Sequence, residues 1–119
     1  MMAPPKDLDL ETLATPENCV ADFCLIPIGT TVSVSQEVAD VQRLMQKSHL
    51  SYSMHSAGTT VEGPWDDVMR LIGQAHFMLH QKGVVRIQTD IRVGSRTDKK
   101  QKFSEKVTAV NEILAADVK

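Results

Sequence analysis

From residue 84 to residue 93 the chain alternates with little ambiguity, with Val85, Ile87, Thr89, Ile91 and Val93 on one side and Arg86, Gln88, Asp90 and Arg92 on the other. Successive side chains of a strand point to opposite faces, so the segment predicts a strand with one packed face and one wet or functional face. A chain holding such a strand needs a sheet that is covered on one side and open on the other.

The remaining segments fit that requirement. Residues 20–28, VADFCLIPI, are apolar with a single charge and stop at Pro27 and Gly29, which predicts a central strand. Ser33 and Ser35 are two candidate N-caps for a helix reaching about Ser48, with Val34, Val38, Val41, Leu44 and Met45 on its apolar face. Residues 51–63 are rich in small and β-branched types around Ala57-Gly58, which predicts two short strands joined by a two-residue loop there. That loop sets Ser56 opposite Thr59, His55 opposite Thr60, Met54 opposite Val61 and Ser53 opposite Glu62. Tyr52, Met54 and Val61 then share one face, while Ser53, His55, Thr60 and Glu62 share the other.

Pro64 suits a first helical turn, Asp66 and Asp67 suit the positive end of the helix dipole, and Trp65, Val68, Ile72, Ala75 and Leu79 form a wide apolar face ending at Lys82-Gly83. After the alternating strand, Phe103, Val107, Val110 and Leu114 recur at four, three and four, predicting an amphipathic helix over about 101–117. The order β-α-β-β-α-β-α is that of an α+β, ferredoxin-like βαββαβ sandwich with an additional C-terminal helix. Both crossover helices must then cover one side of an antiparallel sheet.

At 119 residues the chain suits one small soluble domain. Residues 1–17 hold Pro4, Pro5, Pro16, one lysine and four carboxylates, a composition that buries little, and they read as a mobile or loosely docked arm ahead of a domain over 18–119. Net charge is −2 and the sequence pI about 6.0, which argues against nucleic acid or an anionic membrane as partner. The two cysteines, Cys19 and Cys24, point to opposite faces if their stretch is extended, so neither a mutual disulfide nor a metal clasp is expected. No run approaches the roughly 20 apolar residues of a membrane helix, and no signal-peptide pattern opens the chain. The expected location is the cytoplasm.

The uncovered sheet face carries Ser53, His55, Thr60, Glu62, Arg86, Gln88, Asp90 and Arg92, joined by Asp22, Cys24, Ile26 and Ile28 if Phe23 and Leu25 turn toward the helices. Isoleucines among paired charges point to a subunit or ligand surface, because exposed β-branched patches invite association. Glu62 suits a cationic or hydrogen-bond-donating ligand group, against the plainer reading of an ion pair with Arg86 or Arg92. His55 has the chemistry of a general base, but no nucleophile is set beside it by any motif. His76 and His80 stand at i,i+4 without a third ligand or an HExxH pattern, so a solvated helix edge outweighs a metal site. Segment 92–106 holds six bases, Arg92, Arg96, Lys99, Lys100, Lys102 and Lys106, against Asp98 and Glu105, enough for a phosphate or carboxylate contact.

Three stretches, PIGT at 27–30, HSAGTTVEGPWDDV at 55–68 and TDIRVGSRTDK at 89–99, together resemble the small thiamine-binding-type (YkoF-like) family, most of all its stand-alone single-domain branch in archaea, bacteria and fungi. The G-T-x-[VI]-E-G block is the most specific piece, and the likeness covers about residues 20–115. The resemblance implies a ferredoxin-like subunit that assembles through its sheets into dimers or tetramers, and non-catalytic binding of thiamine or its hydroxymethylpyrimidine part in some members. Carried onto this chain it implies ligand contacts from Gly29, Thr30, Thr59, Thr60 and Glu62 and from the polar row of the last strand, Arg86, Asp90 and Arg92.

An aminopyrimidine offers N–H donors to a carboxylate such as Glu62, and Arg96 or Lys99 could hold a phosphate if the ligand has one. His55 joins the candidate ligand-binding set from its place on the open face. The reading is a non-enzymatic homo-oligomer, dimer or tetramer, with small-molecule sites near subunit interfaces and no cofactor or metal. A protein-interaction or regulatory module using the open face comes second, and an enzyme with His55, Glu62 and Asp90 as acid–base groups third.

Overall fold

The computed structural model describes residues 8–29, 34–100 and 102–118. Its elements are β1 (Cys19–Ile28), α1 (Ser35–Ser48), β2 (Ser51–His55), β3 (Gly58–Gly63), α2 (Trp65–Gln81), β4 (Arg86–Gly94) and α3 (Phe103–Ala116). The strands form one antiparallel sheet in the order β2-β3-β1-β4, so the expected α+β ferredoxin-like arrangement with an extra C-terminal helix is the one adopted.

β1 is central because it is the most apolar strand, and alternation along it sets the two sides of the molecule. Cys19, Ala21, Phe23 and Pro27 are buried toward the helices, while Asp22 and Cys24 are half-buried and Ile26 and Ile28 exposed on the open side. The cysteines therefore lie on opposite faces as free thiols, and burial pushes the Cys19 thiol up. Pro27, which has no N–H to give, is tolerated because pairing with β3 ends at Phe23↔Thr59 and only β4 runs beside it.

The core joins Phe23 and Val61 of the sheet to Val41 and Met45 of α1, to Val68, Leu71, Ile72, Ala75 and Leu79 of α2, and to Val84. Each of these side chains larger than alanine contributes about 1.5–3 kcal/mol by leaving water. Asp40 of α1 ties the two helices together, accepting from Lys82 at 2.9 Å and Arg43 at 2.7 Å. Those two cations hold its carboxyl below the usual range, Lys82 most.

Several local expectations are corrected. The hairpin turns at Ser56-Ala57, not Ala57-Gly58, so Tyr52 faces Val61, Ser53 faces Thr60, Met54 faces Thr59 and His55 faces Gly58. A slip of two leaves every side chain on its expected face, because faces alternate with period two. Gly58 belongs to β3 because a Cβ there would sit 2.5 Å from the carbonyl oxygen of Phe23.

Helix α1 starts at Ser35 with Val34 in the cap position, so Ser35 is not its N-cap, and Ser33 lies outside the described residues. Pro64 is the N-cap of α2 and not its first turn. Val85 precedes β4 and is exposed, because the chain there is still leaving α2 with Val84 turned into the core. α3 forms where the periodicity places it but buries none of its residues. Residues 8–18 are exposed, and Thr15 Oγ1 donates to Asp66 Oδ1 at the start of α2 at 2.8 Å.

Candidate functional site

The open face is read most easily as rows across the strands. One row runs Ser51, Glu62, Val20, Gly94; the next Ser53, Thr60, Asp22, Arg92; beyond them His55 pairs with Gly58 at the hairpin and Cys24 with Asp90. Beyond the hairpin only β1 and β4 continue, pairing Ile26 with Gln88 and Ile28 with Arg86. Asp22 is the hub of this part of the face: its Oδ1 lies 2.9 Å from His55 Nε2, and its Oδ2 lies 3.8 Å from an Arg92 nitrogen. The face is polar at the Glu62 end and apolar with a base at the Ile28 end.

A cavity of about 660 Å³ opens at the Glu62 end. The ends of β1, β2, β3 and β4 form one wall, through Val20, Ser51, Glu62 and Gly94, and the segment leading from β4 into α3 forms the other, through Arg96, Lys99, Lys100, Lys102 and Glu105. Its size falls in the range of about 300–1,000 Å³ that holds a small organic ligand. Glu62 is half-buried, and its Oε2 accepts the Phe103 backbone N–H at 2.9 Å, while its Oε1 has no partner among the described residues.

Arg96 is bonded through Nε to Asp98 Oδ1 at 2.7 Å. The pair holds the Asp98 carboxyl down to about 2 and keeps the guanidinium charged. Its charge is thus matched within the loop, so the free positive charge facing the cavity is that of Lys99, Lys100 and Lys102.

A second hollow of about 210 Å³ lies at the other end, between β1, α1 and the hairpin turn, lined by Ile26, Val38, Met54, His55 and Thr59 among others. It is below the size range for such a ligand.

The sequence-predicted residues therefore divide. Glu62 and Arg96 line the large cavity, and Thr60 and Arg92 stand one row away from Glu62 on the same face. Asp90 and His55 lie farther along that face, Arg86 farther still, and Gly29 follows β1 at the far end, about 30 Å from the Val20 row at strand rise. Thr30 lies outside the described residues. Thr59 is on the covered face, buried, and accepts from Gln42 Nε2 at 2.9 Å.

The expected competing ion pair of Glu62 with Arg86 or Arg92 does not form, since Arg92 reaches toward Asp22 and Glu62 is engaged by α3. His76 Nε2 meets Thr89 Oγ1 at 2.6 Å and His80 Nδ1 meets the Val84 carbonyl oxygen at 2.7 Å, so both rings stitch α2 to the chain around β4.

Residues 21–111 match the family model described as thiamine-binding protein. The chain belongs to that family. Among curated relatives, UPF0045 protein ECM15 of Eremothecium gossypii is 48% identical over 97 residues, spanning 81% of this chain and 92% of that one. UPF0045 protein YqgV of Bacillus subtilis is 38% identical over 100 residues, 80% of this chain and 96% of that one. The solved structure of hypothetical protein MJ1052 from Methanocaldococcus jannaschii superposes with a TM-score of 0.72 at 27% identity, covering 81% of this chain and 98% of that one. TM0486 of Thermotoga maritima, named for thiamine biosynthesis or salvage, shares the fold at a TM-score of 0.68 and 15% identity, over 78% of this chain and 98% of that one.

Asn18, His49, Leu50 and Ser51 also line the cavity of this family member and carried no sequence signal. They come together only because β1, β2 and the end of α1 meet at one edge. His49 closes α1 with a left-handed backbone at φ 63°, and Leu50 fills the space a side chain at Gly63 would take. Lys99, Lys100 and Lys102 were visible as a basic run, but the run itself does not say that it faces Glu62.

Proposed function

We propose that the chain is a non-enzymatic small-molecule-binding protein that takes thiamine or a thiamine-related pyrimidine in the Glu62 cavity and acts as a homo-oligomer with its sites near subunit interfaces. The observation that carries this reading is the half-occupied carboxylate of Glu62 at the mouth of a ligand-sized cavity, facing three lysines. An aminopyrimidine donates N–H to the free Oε1, and a phosphate on the same molecule is met by Lys99, Lys100 and Lys102. A phosphorylated ligand is therefore favoured over its neutral-tailed parent. Membership of the thiamine-binding family supports the ligand class, and the name of TM0486 points the same way.

Interface sites are supported by the spread of the family-implied residues: Glu62 and Gly29 stand at opposite ends of one subunit, and a second subunit is the simplest way to bring such groups together. An acid–base pair is not favoured, because His55 and Glu62 are separated by four residues along β2 and β3 in register, about 13 Å.

Isothermal calorimetry with thiamine, its mono- and diphosphate and hydroxymethylpyrimidine tests the reading. Heat with a phosphate ester exceeding that with thiamine is the expected result; no heat with any of the four overturns it. Glu62→Ala should abolish the heat with far-UV circular dichroism unchanged, and full retained affinity would remove Glu62 from the site.

A second reading, a protein-interaction module using the open face, is favoured by the exposed Ile26 and Ile28. Native mass spectrometry of the protein isolated from its host selects it if one heterologous partner replaces self-association.

A further inference from the structure

Pro16 is the one proline of the chain that follows a serine or a threonine; the others follow Ala3, Pro4, Ile26 and Gly63. A proline turns the residue before it away from the helical region, so Thr15 carries its hydroxyl on extended backbone. Residues 13–16 have no regular structure, are exposed throughout, and lie ahead of the 21–111 span that matches the family model. A turn leads into them, in which the N–H groups of Thr12 and Leu13 donate to the Asp9 carbonyl oxygen at 3.0 and 2.8 Å. An enzyme cleft can take up such a stretch without unfolding any packed element.

Thr15 is also what holds this stretch to the helices. Its Oγ1 donates to Asp66 Oδ1 at 2.8 Å, and among the described residues no other side-chain hydrogen bond joins 8–18 to the rest of the molecule. A phosphate on that oxygen replaces a donor by an acceptor carrying about −1.5 to −2 charge at pH 7. It would face Asp66 and Asp67, both exposed in the first turn of α2. Arg70, one turn on and on the same side as Asp66, offsets one of them, and the helix dipole adds about half a positive charge. The start of α2 keeps a negative surplus.

Positive charge stands where the stretch joins the sheet. Asn18 and Val20 line the large cavity, and so do Lys99, Lys100 and Lys102, which outnumber Glu62 and Glu105 there. The three residues from Asn18 back to Thr15 span about 10 Å when extended, enough to carry a phosphate to long lysine side chains at that edge.

We infer that Thr15 is a phosphorylation site for a proline-directed protein kinase, and that its phosphate moves the segment before β1 from Asp66 to the lysines of the cavity. In the transfer a bond forms between Thr15 Oγ1 and the γ-phosphorus of a nucleoside triphosphate, and the phosphoanhydride bond to the β-phosphate breaks. The hydroxyl proton goes to the kinase's base and the nucleoside diphosphate leaves. The phosphothreonine then occupies the charge that a phosphorylated ligand would use, so the modified form is a self-blocked one. The kinase step is independent of the function proposed above, and the move uses the cavity's lysines but not its ligand.

The test treats the full chain with adenosine triphosphate and purified kinases of the cyclin-dependent and mitogen-activated classes. Mass spectrometry should find one phosphate, on Thr15, and none on Thr15→Val or Pro16→Ala chains. Asp66→Ala, which frees the hydroxyl, should raise the initial rate. No phosphate on Thr15 with either kinase, or equal modification of Pro16→Ala, overturns the site. Heteronuclear NMR of the modified chain should show shifted amide signals for Asp66 and for Lys99, Lys100 and Lys102, with the Arg70 Nε–H signal unmoved. A shift at Arg70 in place of the lysines, or none beyond residues 8–18, overturns the move. Phosphorylation of Thr15 in a chain that gives no heat with any thiamine-related ligand defeats the binding reading and leaves the kinase site standing.

Discussion

α2 and α3 are both amphipathic by sequence, and they differ completely in what they cover. α2, 17 residues, buries Val68, Leu71, Ile72, Ala75 and Leu79 against the sheet, whereas α3, 14 residues, has no fully buried residue and only Phe103 half-buried. Hydrophobic periodicity states that a helix needs a partner but does not say where the partner is. For α2 the partner is fixed by the crossover from β3 to β4, which lays the helix on the sheet. α3 is not such a crossover between strands among the described residues, and the Glu62 bond holds its start at the open side of the sheet.

The largest expected effect separates the two helices directly. Leu79→Ala removes a fully buried side chain and should cost about 2–5 kcal/mol of folding free energy by urea denaturation. Leu114→Ala, measured at a dilution where the protein is monomeric, should leave the midpoint unchanged. Equal losses in the two variants would break the comparison and place α3 in the core.

Next in size is a contrast between the hairpin turn and the first residue of β3. Gly58→Ala puts a Cβ 2.5 Å from the Phe23 carbonyl oxygen, a backbone atom that cannot move without parting β3 from β1, and should cost about 1–3 kcal/mol. Ala57→Ser, in the exposed turn, should be neutral. A Gly58→Ala variant with the wild-type melting temperature would show that the strands are less closely paired than the geometry has them.

A smaller loss is expected between α1 and the sheet. Gln42→Ala withdraws the donor that reaches the buried Thr59 hydroxyl at 2.9 Å, at a cost of about 0.5–1.5 kcal/mol, the net contribution of one hydrogen bond. Adding Thr59→Val should recover part of that loss, since the pair is then apolar on both sides. If Thr59→Val alone instead removes ligand heat, Thr59 acts in binding and not only in packing.

These positions show what was legible in the chain. Which side of the sheet each residue takes could be read from alternation alone, in β1, in the hairpin and in β4, because side is a matter of parity. Register could not, because a slip of two preserves parity, and Gly58 was read as a turn glycine when its role is close approach to Phe23. The thiamine-binding family could be read from the G-T-x-[VI]-E-G block, and with it Glu62. The cavity could not. It is assembled from residues 18–20, 49–51, 62–63, 94–96, 99–100, 102 and 105, whose meeting depends on strand order and on the path into α3, neither of which leaves a local period.

The smallest expected effect concerns acid, and again sets α2 apart from α3, which carries no histidine. His76 reaches from α2 to Thr89, and burial, with some repulsion from His80, holds its ring below the ordinary histidine range. Its folded-state affinity for protons is thus lower than its unfolded-state affinity. Above pH 6.5, the ordinary value, both states are neutral and the full contribution is present. As pH falls through 6.5 the unfolded chain takes up the proton first, so stability declines until the folded pKa is passed. Thermal unfolding should show a lower midpoint at pH 5.5 than at pH 7.5, and His76→Gln should flatten that difference. A slope unchanged by His76→Gln would move the acid sensitivity to another group and leave the α2–β4 contact without a titrating partner. The Arg96–Asp98 pair does not confuse the reading: the Asp98 pKa is depressed to about 2, so whatever the pair contributes is lost only as pH falls from about 4 toward that value.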